Sequence, residues 1–146
     1  MPLDFDCQLE VTINASPNHV QRAVVEDFGQ WMVSPQNGQT MSLRIEPFVG
    51  GRVFRDLGGG QGHLWAHISV LKPGLVEMVG PFANTEPCYN LIRFRFAHAG
   101  ENTTKLTFSH QAAGSVTKDM LEGAPLGWKE VLEKGLKPHV ERTVAS

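Results

Sequence analysis

Between Phe5 and Ile13 apolar and polar side chains alternate without a break. Phe5, Cys7, Leu9, Val11 and Ile13 share one parity, and Asp6, Gln8, Glu10 and Thr12 the other. A period of two with one apolar face predicts a half-buried strand. Ser16-Pro17 then predicts a helix start, with Ser16 as N-cap and Pro17 at the first helical position. Val20, Ala23, Val24 and Phe28 follow at helical spacing, and Trp31 and Met32 carry the apolar face past Gly29. From Met41 to His110 the pattern returns to strands cut by turn residues. Met41–Ile45, Arg52–Leu57, Gly62–Leu71, Leu75–Val79, Tyr89–Ala97 and Lys105–His110 are separated by Gly, Pro and Asn clusters. That punctuation predicts an antiparallel meander.

The carboxyl-terminal segment changes period again. Trp128, Val131, Leu132, Gly135, Leu136, His139 and Val140 fall on one stripe of a helix. Glu130–Lys134 and Glu133–Lys137 lie on the other side as i,i+4 pairs in the favourable order. A preceding helix over Thr117–Glu122 is expected to end at Gly123, and Pro138 to kink or stop the long one. One sheet with one apolar face and one amphipathic helix are best satisfied when the helix lies across the sheet's concave face. The expected architecture is α+β: a curved antiparallel sheet of six or seven strands around a long C-terminal helix, with two short helices after the first strand. The 146 residues fit a single domain spanning 1–146.

Composition removes several function classes. The net charge is −2 and the Lys and Arg residues are scattered, so no basic stripe marks a nucleic-acid partner. The opening Met1-Pro2-Leu3-Asp4-Phe5-Asp6 lacks the basic and apolar regions of a signal peptide. No stretch approaches the roughly 20 apolar residues of a membrane span. Cys7 and Cys88 form neither a CxxC pair nor a disulfide framework, and they read as reduced thiols of a cytoplasmic protein. Asn102-Thr103-Thr104 matches a glycosylation sequon, which has no role without a secretory route.

The order of elements and residues resembles a known family. Ile13-x-Ala15-Ser16-Pro17-x-x-Val20-x-x-Ala23 resembles the opening of the START-like (SRPBCC) superfamily, in the branch of homologues of the activator of the 90-kDa heat-shock protein ATPase. Gly50-Gly51 with Phe54, Val70-x-Lys72-Pro73-Gly74, Thr104-x-Leu106-Thr107-Phe108-Ser109-His110 and Gly127-Trp128 with Leu132 and Leu136 continue the likeness in order. It runs from about Leu9 to Val140 and rests on the ordered series, since no single motif is specific. The resemblance implies a helix-grip fold with an internal cavity between sheet and last helix, often used to bind ligands. The strand after the Pro turn departs from the family's aromatic-rich pattern: here it is Leu75-Val76-Glu77-Met78-Val79.

Candidate chemistry is sparse. His63-x-Trp65-x-His67 places three side chains on one face of a regular strand, but the two histidines stand about 13 Å apart, too far to share one zinc ion. Leu64, Ala66, Ile68 and Val70 compete for the core, so the face of this strand that points inward stays open. Trp65 and His67 belong either to the solvent face or to the cavity. His110 shares inward parity with Leu106 and Phe108, with no carboxylate at an obvious partner position. Gly58-Gly59-Gly60-Gln61-Gly62 precedes a strand and lacks a lysine, so it reads as a hairpin turn and not a phosphate loop. Arg93 and Arg95 alternate with Ile92, Phe94 and Phe96 and should face outward, while Ser34, Ser109 and Ser115 lack a nucleophile motif.

No catalytic residue, metal site or cofactor is assigned, and the sequence does not look like that of an enzyme. The expected function is binding of a small apolar or amphipathic molecule in a cytoplasmic protein. Its expected lining is Trp31, Met32, Phe54, Trp65, His67, Phe94, Phe108, His110, Trp128, Leu132 and Leu136. Two rivals make different demands. A chaperone-regulating interaction module needs an exposed apolar patch around Trp65 or Trp31. A cyclase- or dehydratase-like enzyme needs a titratable pair, such as His110 with Glu77 or His67. Gly135, on the buried stripe, either leaves room for a ligand or permits close packing of the helix.

Overall fold

The computed structural model describes residues 3–34, 37, 39 and 41–145, with Ala145 described for its backbone only. Met1 and Pro2, which open the segment read for a signal peptide, lie outside the described residues. Among the described residues seven antiparallel strands form one sheet, in the order β1-β7-β6-β5-β4-β3-β2. They are β1 Phe5–Ile13, β2 Leu43–Ile45, β3 Arg52–Gly58, β4 Gln61–Lys72, β5 Leu75–Gly80, β6 Cys88–Gly100 and β7 Thr103–Gly114. Two short helices, α1 Pro17–Glu26 and α2 Phe28–Trp31, follow β1. The carboxyl-terminal rod comprises α3 Lys118–Glu130, a π-helical turn Val131–Leu136 and α4 Lys137–Ala145. No helix among the described residues is long and apolar enough to cross a membrane.

Strand parity translates directly into burial. Ile92, Phe94, Phe96, Leu106 and Phe108 are buried on the inner face, joined by Val11 and Ile13 of β1. Trp128, Val131, Leu132, Leu136 and Val140 dock on that face and complete a continuous core with Phe28 and Trp31. Ser16 caps α1 by accepting from the His19 amide, as its position before Pro17 foretells. At the far end His139 bonds Asp27 at 2.9 Å, tying α4 to the junction between α1 and α2.

The last helix runs past both punctuation marks. It does not end at Gly123: Thr117 caps it, accepting from the Met120 amide, and α3 continues through Gly123 and Pro125. A glycine stops a helix where the chain turns into a left-handed conformation, and Gly123 does not adopt one. Docking of Trp128 and Val131 keeps the segment helical. Nor does Pro138 stop it. Hydrogen bonding widens over Val131–Leu136, and the Lys137 amide donates to the Leu132 carbonyl, five residues back. This register change falls immediately before Pro138, which has no amide to contribute.

Candidate functional site

His110 is the only buried histidine among the described residues, and every buried polar side-chain atom around it is matched. It projects from β7 beside Ile92, its cross-strand neighbour on β6. Trp128 Nε1 donates to His110 Nδ1 at 3.0 Å. Indole nitrogen can only donate, so Nδ1 accepts and the imidazole proton resides on Nε2. From there it is donated to Asn90 Oδ1 at 2.8 Å. Asn90 Nδ2 continues the chain to the Gly80 carbonyl at 3.2 Å and approaches Cys88 Sγ at 3.6 Å. The last helix is thereby joined to three adjacent elements of the sheet through one neutral tautomer. Neither pair named for an enzymatic reading is assembled: Glu77 is ion-paired with Arg93, its cross-strand partner on the outer face, and His67 is exposed while His110 is buried.

Burial lowers the His110 pKa to about 4 from an ordinary value of 6.5. Protonation would also set a second donor against the Trp128 N–H. The unfolded chain takes up this proton near pH 6.5 and the folded one only near pH 4. Stability from this group is therefore complete above pH 6.5 and is lost as pH falls towards 4, by roughly 2–3 kcal/mol. Urea unfolding at pH 7 and pH 4.5 checks this. His110→Gln can accept from Trp128 and donate to Asn90 without titrating, and it is expected to show a pH slope smaller by that amount.

Aromatic side chains surround the chain of hydrogen bonds. Trp128 packs on Phe108 with ring centres 4.5 Å apart, and Phe108 packs on Phe94 at 5.2 Å. Phe82, from the loop between β5 and β6, inserts its ring among Trp65 at 4.3 Å, His110 at 4.9 Å and Trp128 at 5.8 Å. Beside it lies an apolar recess of about 150 Å³ lined by Met32, Met41, Phe82, Trp128 and Val131, with Ala124 and Gly127. This recess lies at one edge of the packed core, where the last helix meets the sheet. Larger grooves of about 420 and 320 Å³ lie elsewhere on the surface, with charged, polar and apolar side chains mixed in their walls.

The residues expected to line the cavity divide into three groups. Met32 and Trp128 line the recess, and Trp65 and His110 stand behind Phe82. Trp31, Phe94, Phe108, Leu132 and Leu136 are fully packed core. Phe54 and His67 lie away from the recess: both border an outer groove with Arg52, whose guanidinium sits 4.5 Å over the Phe54 ring. The open question on β4 is resolved by a bulge. Ala66 pairs with Val53 and Leu64 with Phe54, leaving Trp65 as an extra residue between two rungs. Strict alternation fails there, so Trp65 packs against Phe82 while His63 and His67 stay exposed. Among the described residues no three His, Cys, Asp or Glu side chains gather as metal ligands.

Sequence reasoning missed Asn90 and Phe82. Asn90 shares parity with Ile92, Phe94 and Phe96, and a polar residue at an inward position on β6 was the available signal. A search confined to titratable partners passes over it. Phe82 is a single aromatic in a Gly-, Pro- and Asn-punctuated loop, and nothing local distinguishes it from an exposed side chain.

This architecture is a helix-grip fold, a curved antiparallel sheet closed over a long last helix. No family model matches the chain, and no curated protein does. Solved structures share the fold at low identity. A protein from Chromobacterium violaceum is 19% identical, with a TM-score of 0.70 over 93% of this chain and 96% of that one. CalU16 from Micromonospora echinospora is 16% identical, with a TM-score of 0.63 over 92% of this chain and 73% of its own. An HSP90 activator from Plasmodium falciparum is 16% identical, with a TM-score of 0.63 over 96% of both chains.

Proposed function

We propose that this protein binds a small apolar molecule at the edge of the helix–sheet core, in the recess beside Trp128. The observation that carries the reading is the recess itself, about 150 Å³ and walled by apolar side chains at the junction of α2, α3 and the Phe82 loop. A volume of this order holds one benzene ring. Such sites are mostly apolar with few oriented polar groups. The interaction-module reading has less to stand on, because Trp31 is 1% exposed and Trp65 is half-buried against Phe82. Benzene titration followed by NMR tests the proposal. Saturable shifts are expected at the Trp128 indole and the Val131 methyls, and Ala124→Leu, which fills the recess, is expected to abolish them. Shifts absent from Trp128 and Val131 in the parent protein would remove the proposal.

A further inference from the structure

Phe82 occupies its position on a backbone that does not favour it. It has φ of 53° and Ala83 has φ of 61°, so two consecutive residues with a Cβ are left-handed. Glycine or asparagine usually occupies such positions. The turn is held by two hydrogen bonds to the bulged part of β4: Phe82 N to the Trp65 carbonyl at 2.7 Å and Ala83 N to the Leu64 carbonyl at 3.1 Å. The result is a ring presented inward from a surface loop, yet still only partly buried. It faces three aromatic rings on one side and the recess on the other.

We propose that the slot between Trp65, His110 and Trp128, filled by the protein's own Phe82 ring, receives one ring of a flat two-ring aromatic ligand, with Phe82 swinging outward to admit it. The proposal rests on the function proposed above and specifies the ligand of the same site. Two observations set the class. The recess alone has room for one ring, and the Phe82 slot is continuous with it because Phe82 lines both. The slot's polar groups are already matched: His110 Nε2 donates to Asn90 and Nδ1 accepts from Trp128. It therefore offers aromatic faces and edges, and no free donor or acceptor of this network, to an incoming molecule. Aromatic rings favour such offset and edge-on contacts at separations of about 4.5–7 Å. A polar substituent on the ligand would have to point out of the rim.

Naphthalene and benzene, titrated in parallel and followed through tryptophan fluorescence and NMR, test the assignment. Phe82→Ala is expected to bind naphthalene about tenfold more tightly than the parent chain, with benzene affinity changed much less. Naphthalene should also give ring-current shifts at His110 and Trp128 together. Phe82→Leu is expected to fall between the two, and it supplies the same comparison should Phe82→Ala fold poorly. Equal naphthalene affinity in parent and variants, with benzene still held beside Trp128, would overturn the Phe82 slot and leave the proposed function standing. Failure of both probes to bind any of the proteins would remove both.

Discussion

Replacing Trp128 with alanine is expected to destabilise the protein by about 3–5 kcal/mol through lost packing alone. The side chain is only 4% exposed and sits against Phe108 at 4.5 Å, at the point where the last helix meets the inner face of the sheet. The same substitution removes the donor to His110 Nδ1, leaving a buried acceptor without a partner at a further cost of about 1–3 kcal/mol. Domains have a net stability of only about 5–15 kcal/mol, so the variant should be at or near the unfolding threshold. Trp128→Phe separates the contributions: it keeps an aromatic ring against Phe108 and loses the N–H. Its expected cost is about 1–3 kcal/mol, and the His110 pKa should rise because Nδ1 no longer faces an obligatory donor. Urea unfolding gives the stabilities, and NMR titration of His110 gives the pKa. A cost below about 1 kcal/mol for Trp128→Ala would mean that the helix does not depend on this contact.

The elements governed by simple periodicity were readable from sequence. On β1, β7 and the first part of β6 every second residue faces the core, and six or seven strands with two short helices and a long last helix follow from that pattern and its turns. What resisted reading was set by contacts distant in sequence. The Trp65 bulge depends on how β3 aligns with β4, so Trp65 parts company with His63 and His67 although all three share a nominal parity. Phe54 and His67 are adequate cavity residues by type, but Arg52 and the outer groove claim them. Gly123 and Pro138 have the local chemistry of helix breakers. One is overridden by the docking of the flanking turns, and the other is accommodated by a π turn that no residue pattern announces. The His110–Asn90 bond joins residues twenty positions apart, and strand register alone brings them together.

Two glycines of the last helix make opposite predictions from the same substitution. Gly135 lies on the buried stripe, and a Cβ there would collide with the Trp31 carbonyl oxygen. This settles its two readings in favour of close approach, with the backbone of the π turn seated directly on the end of α2. Backbone cannot yield as a flexible side chain can, so Gly135→Ala must separate the last helix from α2. The expected cost is about 1–3 kcal/mol, although alanine by itself favours helix by about 1 kcal/mol. Gly135→Val should cost more, because its larger side chain enters the same closed space. At Gly123 an added Cβ meets nothing within 4 Å. Gly123→Ala is therefore expected to stabilise the protein by about 0.4–1 kcal/mol, through helix propensity and a less flexible unfolded chain. Thermal and urea unfolding of the three variants should place Gly123→Ala above the parent protein and both Gly135 variants below it. A neutral or stabilising Gly135→Ala would show that the Trp31 end of α2 is free to move away, and that the packing beside the recess is looser than its geometry implies.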